Sequence, residues 1–137
     1  MEKYVIGNDN IMEIERLRSK IYNSSTLNEY FIMNLQNGKM LAIEIILDDI
    51  LIGGCYISRS HESLYIENLF IDEPYRGKGY AEKLLEYVLS NKAIFEEYFN
   101  IKFLYSKLEP NSNDMVNFYM KMGYSKPNDY NIMKRRV

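Results

Sequence analysis

The sequence predicts a single-domain α/β protein, a mixed sheet with helices on its faces. Three observations carry that expectation. The chain has 137 residues, 47% apolar and 26% charged, which is enough for one hydrophobic core and too little for two. Its apolar residues change period along the chain, from three- and four-residue steps to strict alternation and back. No repeat, Ser/Gly linker or low-complexity run offers a place to divide it.

Tyr4 to Ile6 reads as a short first strand, ended by Gly7-Asn8-Asp9, with Asp9 placed to cap a helix. Ile11, Ile14, Leu17 and Ile21 then form one apolar stripe among Glu13, Glu15, Arg16 and Arg18. Ser24-Ser25-Thr26 interrupts it, and a second helix is expected from Leu27 to Gln36, stopped by Asn37-Gly38. Leu41, Ile43, Ile45 and Leu47 alternate along a strand. Asp48-Asp49 turns the chain and Ile50 to Ser58 returns, which is the pattern of a β-hairpin. Ser60-His61-Glu62-Ser63 makes the next turn, and Leu64 to Ile71 the next strand, ended by Asp72-Glu73-Pro74.

After Gly79, Ala81, Leu84, Leu85, Val88 and Leu89 give the clearest amphipathic helix in the chain, about three turns long. Ile101 to Lys107 reads as a strand, broken by Glu109-Pro110-Asn111-Ser112. A helix through Met115, Phe118, Tyr119 and Met122 closes at Gly123, and Tyr124 to Val137 supplies one or two terminal strands around Pro127-Asn128-Asp129. The expected order is β, α, α, β, β, β, α, β, α, β.

Composition excludes several functions. A net charge of −2 leaves no excess of Lys and Arg to neutralise phosphates, so no nucleic acid partner is expected. Cys55 and His61 are the sole residues of their types, which excludes a disulfide within the chain, a Cys-pair zinc site and a His-rich cage; no metal is expected. The start, Met1-Glu2-Lys3-Tyr4, leads into no signal-type apolar run. The most apolar stretch, Leu41 to Ile57, is interrupted by Glu44, Asp48 and Asp49, so no membrane partner is expected either. The expected location is the cytoplasm. An aromatic content of 14% is compatible with a homodimer but locates no interface.

The chemistry is concentrated between Tyr65 and Leu89. Its centre reads Ile71-Asp72-Glu73-Pro74-Tyr75-Arg76-Gly77-Lys78-Gly79-Tyr80-Ala81, directly after an apolar strand and before an apolar-striped helix. The unpaired N–H groups of a helix start attract anions. Gly77, Gly79 and the small Ala81 let a phosphate approach the backbone, and Arg76 and Lys78 add charge. A nucleotide P-loop is excluded because Gly79, not Ser or Thr, follows Lys78. A dinucleotide fingerprint starting at Gly77 fails at Glu82.

What remains, Arg76-x-x-Gly79-x-Ala81, resembles the best-known motif of the GNAT superfamily of N-acetyltransferases, Gln/Arg-x-x-Gly-x-Gly/Ala in the same strand–loop–helix setting. Downstream, the stretch from Asn113 through Phe118-Tyr119 to Gly123-Tyr124 resembles that family's Asn…Phe-Tyr-x-x-x-Gly-Phe segment. The resemblance spans nearly the whole chain. It implies the family's acyl-CoA N-acyltransferase fold, a mixed, mostly antiparallel sheet flanked by helices, with acetyl-CoA as acyl donor and an amine acceptor.

It also implies roles by position. Backbone N–H groups of Arg76, Gly77, Lys78, Gly79, Tyr80 and Ala81 would hold the pyrophosphate. Backbone groups of Leu69, Phe70 and Ile71 would pair with the pantetheine arm like an added strand. Tyr119 falls at the family's usual general acid. The family's helix-start Asn falls at Ser112, flanked by Asn111 and Asn113. Ser112 and Asn113 are the candidates for a polar contact to CoA, and Ser112 can cap the helix instead.

Acetyl transfer to an amine needs a neutral nucleophile. A lysine-like ammonium with pKa about 10.4 costs roughly 4.6 kcal/mol to deprotonate at pH 7. A base or a water relay is needed; Glu67, mid-strand on an otherwise apolar element, is the nearest candidate base, and binding a cationic acceptor without taking its proton is the other role open to it. Tyr119 can protonate the departing thiolate across a free-group gap of about 1.5 pKa units, roughly 2 kcal/mol.

Two rival readings stand beside this one. The first is a non-catalytic acyl-CoA-binding sensor or interaction module of the same fold, and the second an α/β nucleotide-binding domain of another kind. The acceptor pocket is expected around Tyr22, Leu27, Tyr30, Phe31 and Met33, from the first two helices and their loop.

Overall fold

The computed structural model describes residues 1–137. Six strands lie in one sheet in chain order: β1 (Glu2–Ile6), β2 (Met40–Leu47), β3 (Ile50–Ser60), β4 (Ser63–Ile71), β5 (Tyr105–Leu108) and β6 (Met133–Arg136). Only the β4–β5 pair is parallel; the other neighbours are antiparallel. A parallel step needs a crossover, and α3 (Tyr80–Ser90) and α4 (Lys92–Phe99) supply it. The remaining helices are α1 (Ile11–Ile21), α2 (Glu29–Gln36) and α5 (Asn113–Lys121). The mixed, mostly antiparallel α/β sheet flanked by helices is therefore the observed fold class.

Strand period two divides the sheet into two buried faces. Met40, Ala42, Tyr56 and Phe70 point to one face, where Ile14 of α1 and Phe31 and Leu35 of α2 cover them. Leu41, Ile43, Ile45, Cys55, Ile57 and Leu69 point to the other, against Leu84, Leu85 and Val88 of α3 and Phe95 of α4. The central strands are thus buried on both sides, which is why β2 carries apolar residues at even as well as odd positions. No helix is long and apolar enough to cross a membrane.

Local boundaries shift from the sequence reading for physical reasons. Asn10, not Asp9, occupies the α1 N-cap. α2 begins after Asn28, whose side chain accepts from Phe31 N–H at 3.1 Å, so Leu27 stays outside the helix. The sequence pattern marks no helix where α4 forms. That helix follows α3 after the single residue Asn91 and buries Phe95, and its Glu96 carboxylate accepts from Phe103 N–H at 2.8 Å. Ile101 N–H then closes that helix by donating to the Glu96 carbonyl at 3.1 Å. The next strand consequently starts at Tyr105 rather than Ile101 and reaches Leu108. Of the one or two strands expected in the tail, one forms, Met133–Arg136.

One irregularity bears on function. Tyr56 of β3 faces Asn68, and the next residue, Ile57, faces Ile66, which leaves Glu67 as an extra residue in β4. Such a bulge re-aims a side chain.

Candidate active site

β4 is paired on both edges only in its first half. β5 accompanies it from Ser63 to Ile66 and then leaves, while β3 continues alongside to Ile71. Asp72 N–H donates to Ile52 of β3 at 2.8 Å. Backbone groups alternate sides along a strand, so Phe70 also faces β3, and Leu69 and Ile71 present theirs to the vacated edge. Arg76 Nε donates to the Ile71 carbonyl at 2.9 Å, which folds the next loop back over the strand end.

A cleft of about 710 Å³ opens at this edge, between the end of α1, the second half of β4 and the starts of α3 and α5. Leu69, Phe70, Ile71, Arg76, Gly77, Gly79, Tyr80 and Ala81 all line it, as does Ser112. Eight of the positions singled out between Leu69 and Ala81 therefore meet at one surface. Lys78 and Asn113 do not line the cleft; Ser112 caps α5, accepting from Met115 N–H at 3.3 Å.

The floor of the cleft is main chain. Ile71 leads through a short 3-10 turn (Glu73–Tyr75) into the α3 start, and Gly79 forms its N-cap without any side-chain hydrogen bond. The first N–H of α3 with an acceptor is that of Lys83, at 3.1 Å from the Gly79 carbonyl. The six amides from Gly77 to Glu82 have no acceptor in the protein. Gly77 and Gly79 hold φ of 74° and 85°, which favours glycine, and a Cβ built on either meets nothing within 4 Å. Substitution there would fill open space in front of the amides. Free donors at a helix start and the helix dipole together favour an anion.

Tyr119 is not part of the cleft lining, although its neighbours Met115 and Phe118 are. Its ring is 4% exposed, edge-on to Phe118 and Tyr124 at centroid distances of 5.2 and 5.8 Å. Burial pushes the phenol well above its ordinary pKa, with further contributions from Tyr22, Cys55 and Tyr124, and so keeps it protonated. Its hydroxyl donates to nothing in the protein. Ser63 Oγ is the one solvent-sealed side-chain polar atom without a partner, so the Tyr119 oxygen reaches accessible space. The ring is thus buried and its protonated hydroxyl is free to donate a hydrogen bond.

Glu67 faces a different cavity, on the α1/α2 face, together with Tyr65 and Ser58. It accepts one hydrogen bond, from Ser58 Oγ at 3.2 Å. Burial raises its pKa, the Ser58 bond lowers it and Glu109 raises it again, with a net upward shift. The structure thus separates the two catalytic candidates. Tyr119 lies next to the cleft-lining Phe118, and Glu67, the extra residue of the bulge, lies two residues before Leu69 and lines the other cavity.

Sequence reasoning missed part of the lining. Tyr22, expected with the acceptor, lines the cleft, where its hydroxyl accepts from Asn111 Nδ2 at 2.7 Å and ties the end of α1 to the loop before α5. Tyr75, Asp114, Met115 and Phe118 were not singled out for the cleft and line it. Phe31, also expected at the acceptor, is core, edge-on to Tyr56 at 5.2 Å. Tyr30 does line the second cavity, and Leu27 and Met33 line neither. Asn111 followed by Pro-free chain and a Ser cap carried no signal that it would reach across 89 positions to Tyr22.

A sequence model described as the acetyltransferase (GNAT) family matches residues 9–124. No curated protein matches the chain. Among solved structures, the chain is similar to an IAA acetyltransferase from Bacillus cereus, at 15% identity and a TM-score of 0.75, covering 98% of this chain and 100% of that one. It is similar to a GNAT family acetyltransferase from Elizabethkingia anophelis with acetyl-CoA bound, at 12% identity and a TM-score of 0.74, covering 99% and 98%. It also resembles the PaiA N-acetyltransferase from Thermoplasma acidophilum in complex with coenzyme A, at 18% identity and a TM-score of 0.64, covering 98% and 99%. At these identities the likeness establishes the fold.

Proposed function

The chain belongs to the GNAT acetyltransferase family, and from that premise we propose that residues 1–137 work as one domain that transfers an acetyl group from acetyl-CoA to a primary amine by direct attack in a ternary complex. The observation that carries this reading is the run of six unpartnered amides from Gly77 to Glu82, beside a strand edge that β5 has vacated. Those amides suit a pyrophosphate, and the Leu69 and Ile71 edge suits the amide groups of a pantetheine arm. Two of the structural neighbours are described with CoA or acetyl-CoA bound, which fits the same assignment.

Acetyl-CoA supplies an activated thioester; this chain's residues bind it, orient it and move protons. The amine nitrogen forms a bond to the acetyl carbon as the carbon–sulfur bond breaks, one amine proton leaves, and the thiolate takes a proton. Main-chain N–H groups at the β4 edge stabilise the oxygen that gains charge. Glu67, its pKa raised by burial, accepts the amine proton directly or through water. Tyr119 protonates the thiolate. Its raised pKa widens the gap beyond that of the free groups, so the transfer relies on a hydrogen bond formed directly to the thiolate. Arg76 and Lys78 add positive charge near the phosphates, and Ser112 and Asn113 stand at the α5 start for further polar contacts.

The test is a titration of CoA into the full chain, followed by thiol release from acetyl-CoA with a panel of primary amines. Binding of CoA with amine-dependent release is expected. No heat on titrating CoA overturns the reading, and binding without release on a broad panel turns it into that of a non-catalytic acyl-CoA sensor. Stabilisation by ATP or NAD but not by CoA would point to another nucleotide-binding class.

A further inference from the structure

One row of side chains crosses five strands. Met40 of β2 stands opposite Ser58 of β3, Ser58 opposite Tyr65 of β4, Tyr65 opposite Lys107 of β5, and Lys107 opposite Lys134 of β6. Residues paired in this way share a face of the sheet. Met40 lies beneath α1 and α2, so Lys107 and Lys134 point to that side. A shorter row places Ser63, Tyr105 and Arg136 on the same side, while Leu108 and Met133 fill the opposite face.

The helices do not follow the row to its end. The apolar cluster under α1 and α2 takes in β2, β3 and β4. Over β5 and β6, Lys134 and Arg136 are exposed and Lys107 is half-buried. No ion pair in the chain includes any of these three cations. Lys134 Nζ sits 4.5 Å from the centroid of the Tyr105 ring, which holds the ammonium on the open face.

This arrangement works against the sheet. Like charges directly opposite on neighbouring strands are destabilising, and Lys107 and Lys134 are such a pair, with Arg136 two residues beyond. The repulsion stands in a chain whose net charge is −2, and an anionic partner on that face would relieve it.

We propose that the open face of β5 and β6 docks an extended, acidic polypeptide segment with carboxylates at alternate positions, held by Lys107, Lys134 and Arg136.

Spacing and charge select this partner. Lys134 and Arg136 stand two residues apart on one strand, about 7 Å, and side chains at alternate positions of an extended segment repeat at the same distance. Lys107 is one strand spacing from Lys134, about 5 Å, so one carboxylate of the segment meets two ammonium groups. Arg136 offers a guanidinium that matches a carboxylate in shape. Glu109 lies toward Glu67, whose pKa it helps to raise, so carboxylates border the cations on the β4 side. A nucleic acid strand, charged at every nucleotide, would run onto those carboxylates, and the net charge of the chain offers it no wider attraction.

The probe is a nine-residue peptide, blocked at both ends, that alternates glutamate and threonine; its control carries glutamine in place of glutamate. Titrated into the full chain at low salt, the glutamate peptide is expected to bind at least tenfold more tightly than the control, with NMR shifts at the amides of Lys107, Lys134 and Arg136. A peptide of the same residues with its glutamates in one block is expected to bind at least threefold more weakly. The double variant Lys107→Gln/Lys134→Gln is expected to lose the preference for glutamate, and the charge-keeping Lys107→Arg to retain it. Lys107→Gln alone is expected to weaken binding at least threefold while leaving the Tm of the free protein unchanged or raised, because it removes the repulsive pair. Equal binding of the alternating peptide and either comparison peptide, a preference that survives the double variant, or tighter binding of a single-stranded oligothymidylate of matching charge overturns the proposal. CoA takes no part in the titration, so loss of this docking face and loss of the acetyl-transfer reading are separate results.

Discussion

Glu15 and Glu67 are two carboxylates directed to the same face of the same sheet, and they have opposite fates. Glu15, from the middle of α1, is fully buried and accepts four hydrogen bonds. Two come from Arg18, at 2.6 and 2.9 Å, one from Tyr56 Oη at 2.9 Å and one from Asn28 N–H at 2.6 Å. Burial works to raise its pKa, but the bonds from Arg18, Asn28 and Tyr56 outweigh burial and hold it below the ordinary range. Arg18 in turn lies over Phe31, 4.8 Å from the ring centroid. Two residues further along β3, Ser58 gives Glu67 its only hydrogen bond, and burial with Glu109 nearby leaves the pKa raised. The number of donors, not depth, separates them. A carboxylate whose lone pairs are taken holds α1, α2 and β3 together; one whose lone pairs are free is available to a substrate or a proton.

The largest effect that tests this contrast is on stability. Glu15→Ala leaves the Arg18 charge buried without its partner and is expected to cost about 3–5 kcal/mol in urea unfolding. Glu67→Gln removes a poorly solvated charge that has one weak bond, and stability is expected to change by less than about 0.5 kcal/mol. Equal losses in the two variants would break the distinction.

Activity should reverse the order. Glu67→Gln is expected to lower kcat/KM about a hundredfold, the low end for a lost general base, with CoA binding intact. A smaller effect follows from Tyr119→Phe, which keeps the ring and its packing: turnover falls at least tenfold, about 1.4 kcal/mol of barrier, while calorimetry finds CoA affinity nearly unchanged. Unaffected turnover would assign the proton to another group.

The smallest effect is the pH dependence, and its sign differs at the two sites. The Glu15 pKa is lowered in the folded state, so the stability it confers is present above the ordinary carboxylate range and is lost as pH falls through the folded value. The Glu67 pKa is raised, so its ionised form is a penalty at neutral pH that disappears as pH falls through its folded value. Urea unfolding across acidic pH should therefore show the gap between the unaltered chain and Glu67→Gln closing first, at higher pH than the loss attributable to Glu15. The acid limb of kcat/KM should lie above the ordinary carboxylate range and vanish in Glu67→Gln.

The run of free amides at the start of α3, to which we assign the anion, was legible because its determinants are local. Gly77 and Gly79, the apolar strand before them and the apolar stripe after them lie within about twenty residues. Helix period, caps and left-handed glycines act over four residues or fewer. The order of elements was legible for the same reason, apart from α4. That helix buries only Phe95 and leaves Ile94 and Tyr98 exposed, so its apolar residues do not mark one clean face.

Tertiary structure alone decided the rest. The Glu15 network joins residues 3, 13 and 41 positions apart, and no periodicity encodes which mid-helix Glu will meet Tyr56. Glu67 shares the second cavity with Tyr65, two residues before it, and its place as the extra residue against β3 exists only in the register between β3 and β4. The cavity itself draws on α2, β3 and β4 together with Lys39. Local patterning specifies where the backbone offers free amides; only the packing of distant segments fixes how many donors each carboxylate finds, and that number decides which of them is left for chemistry.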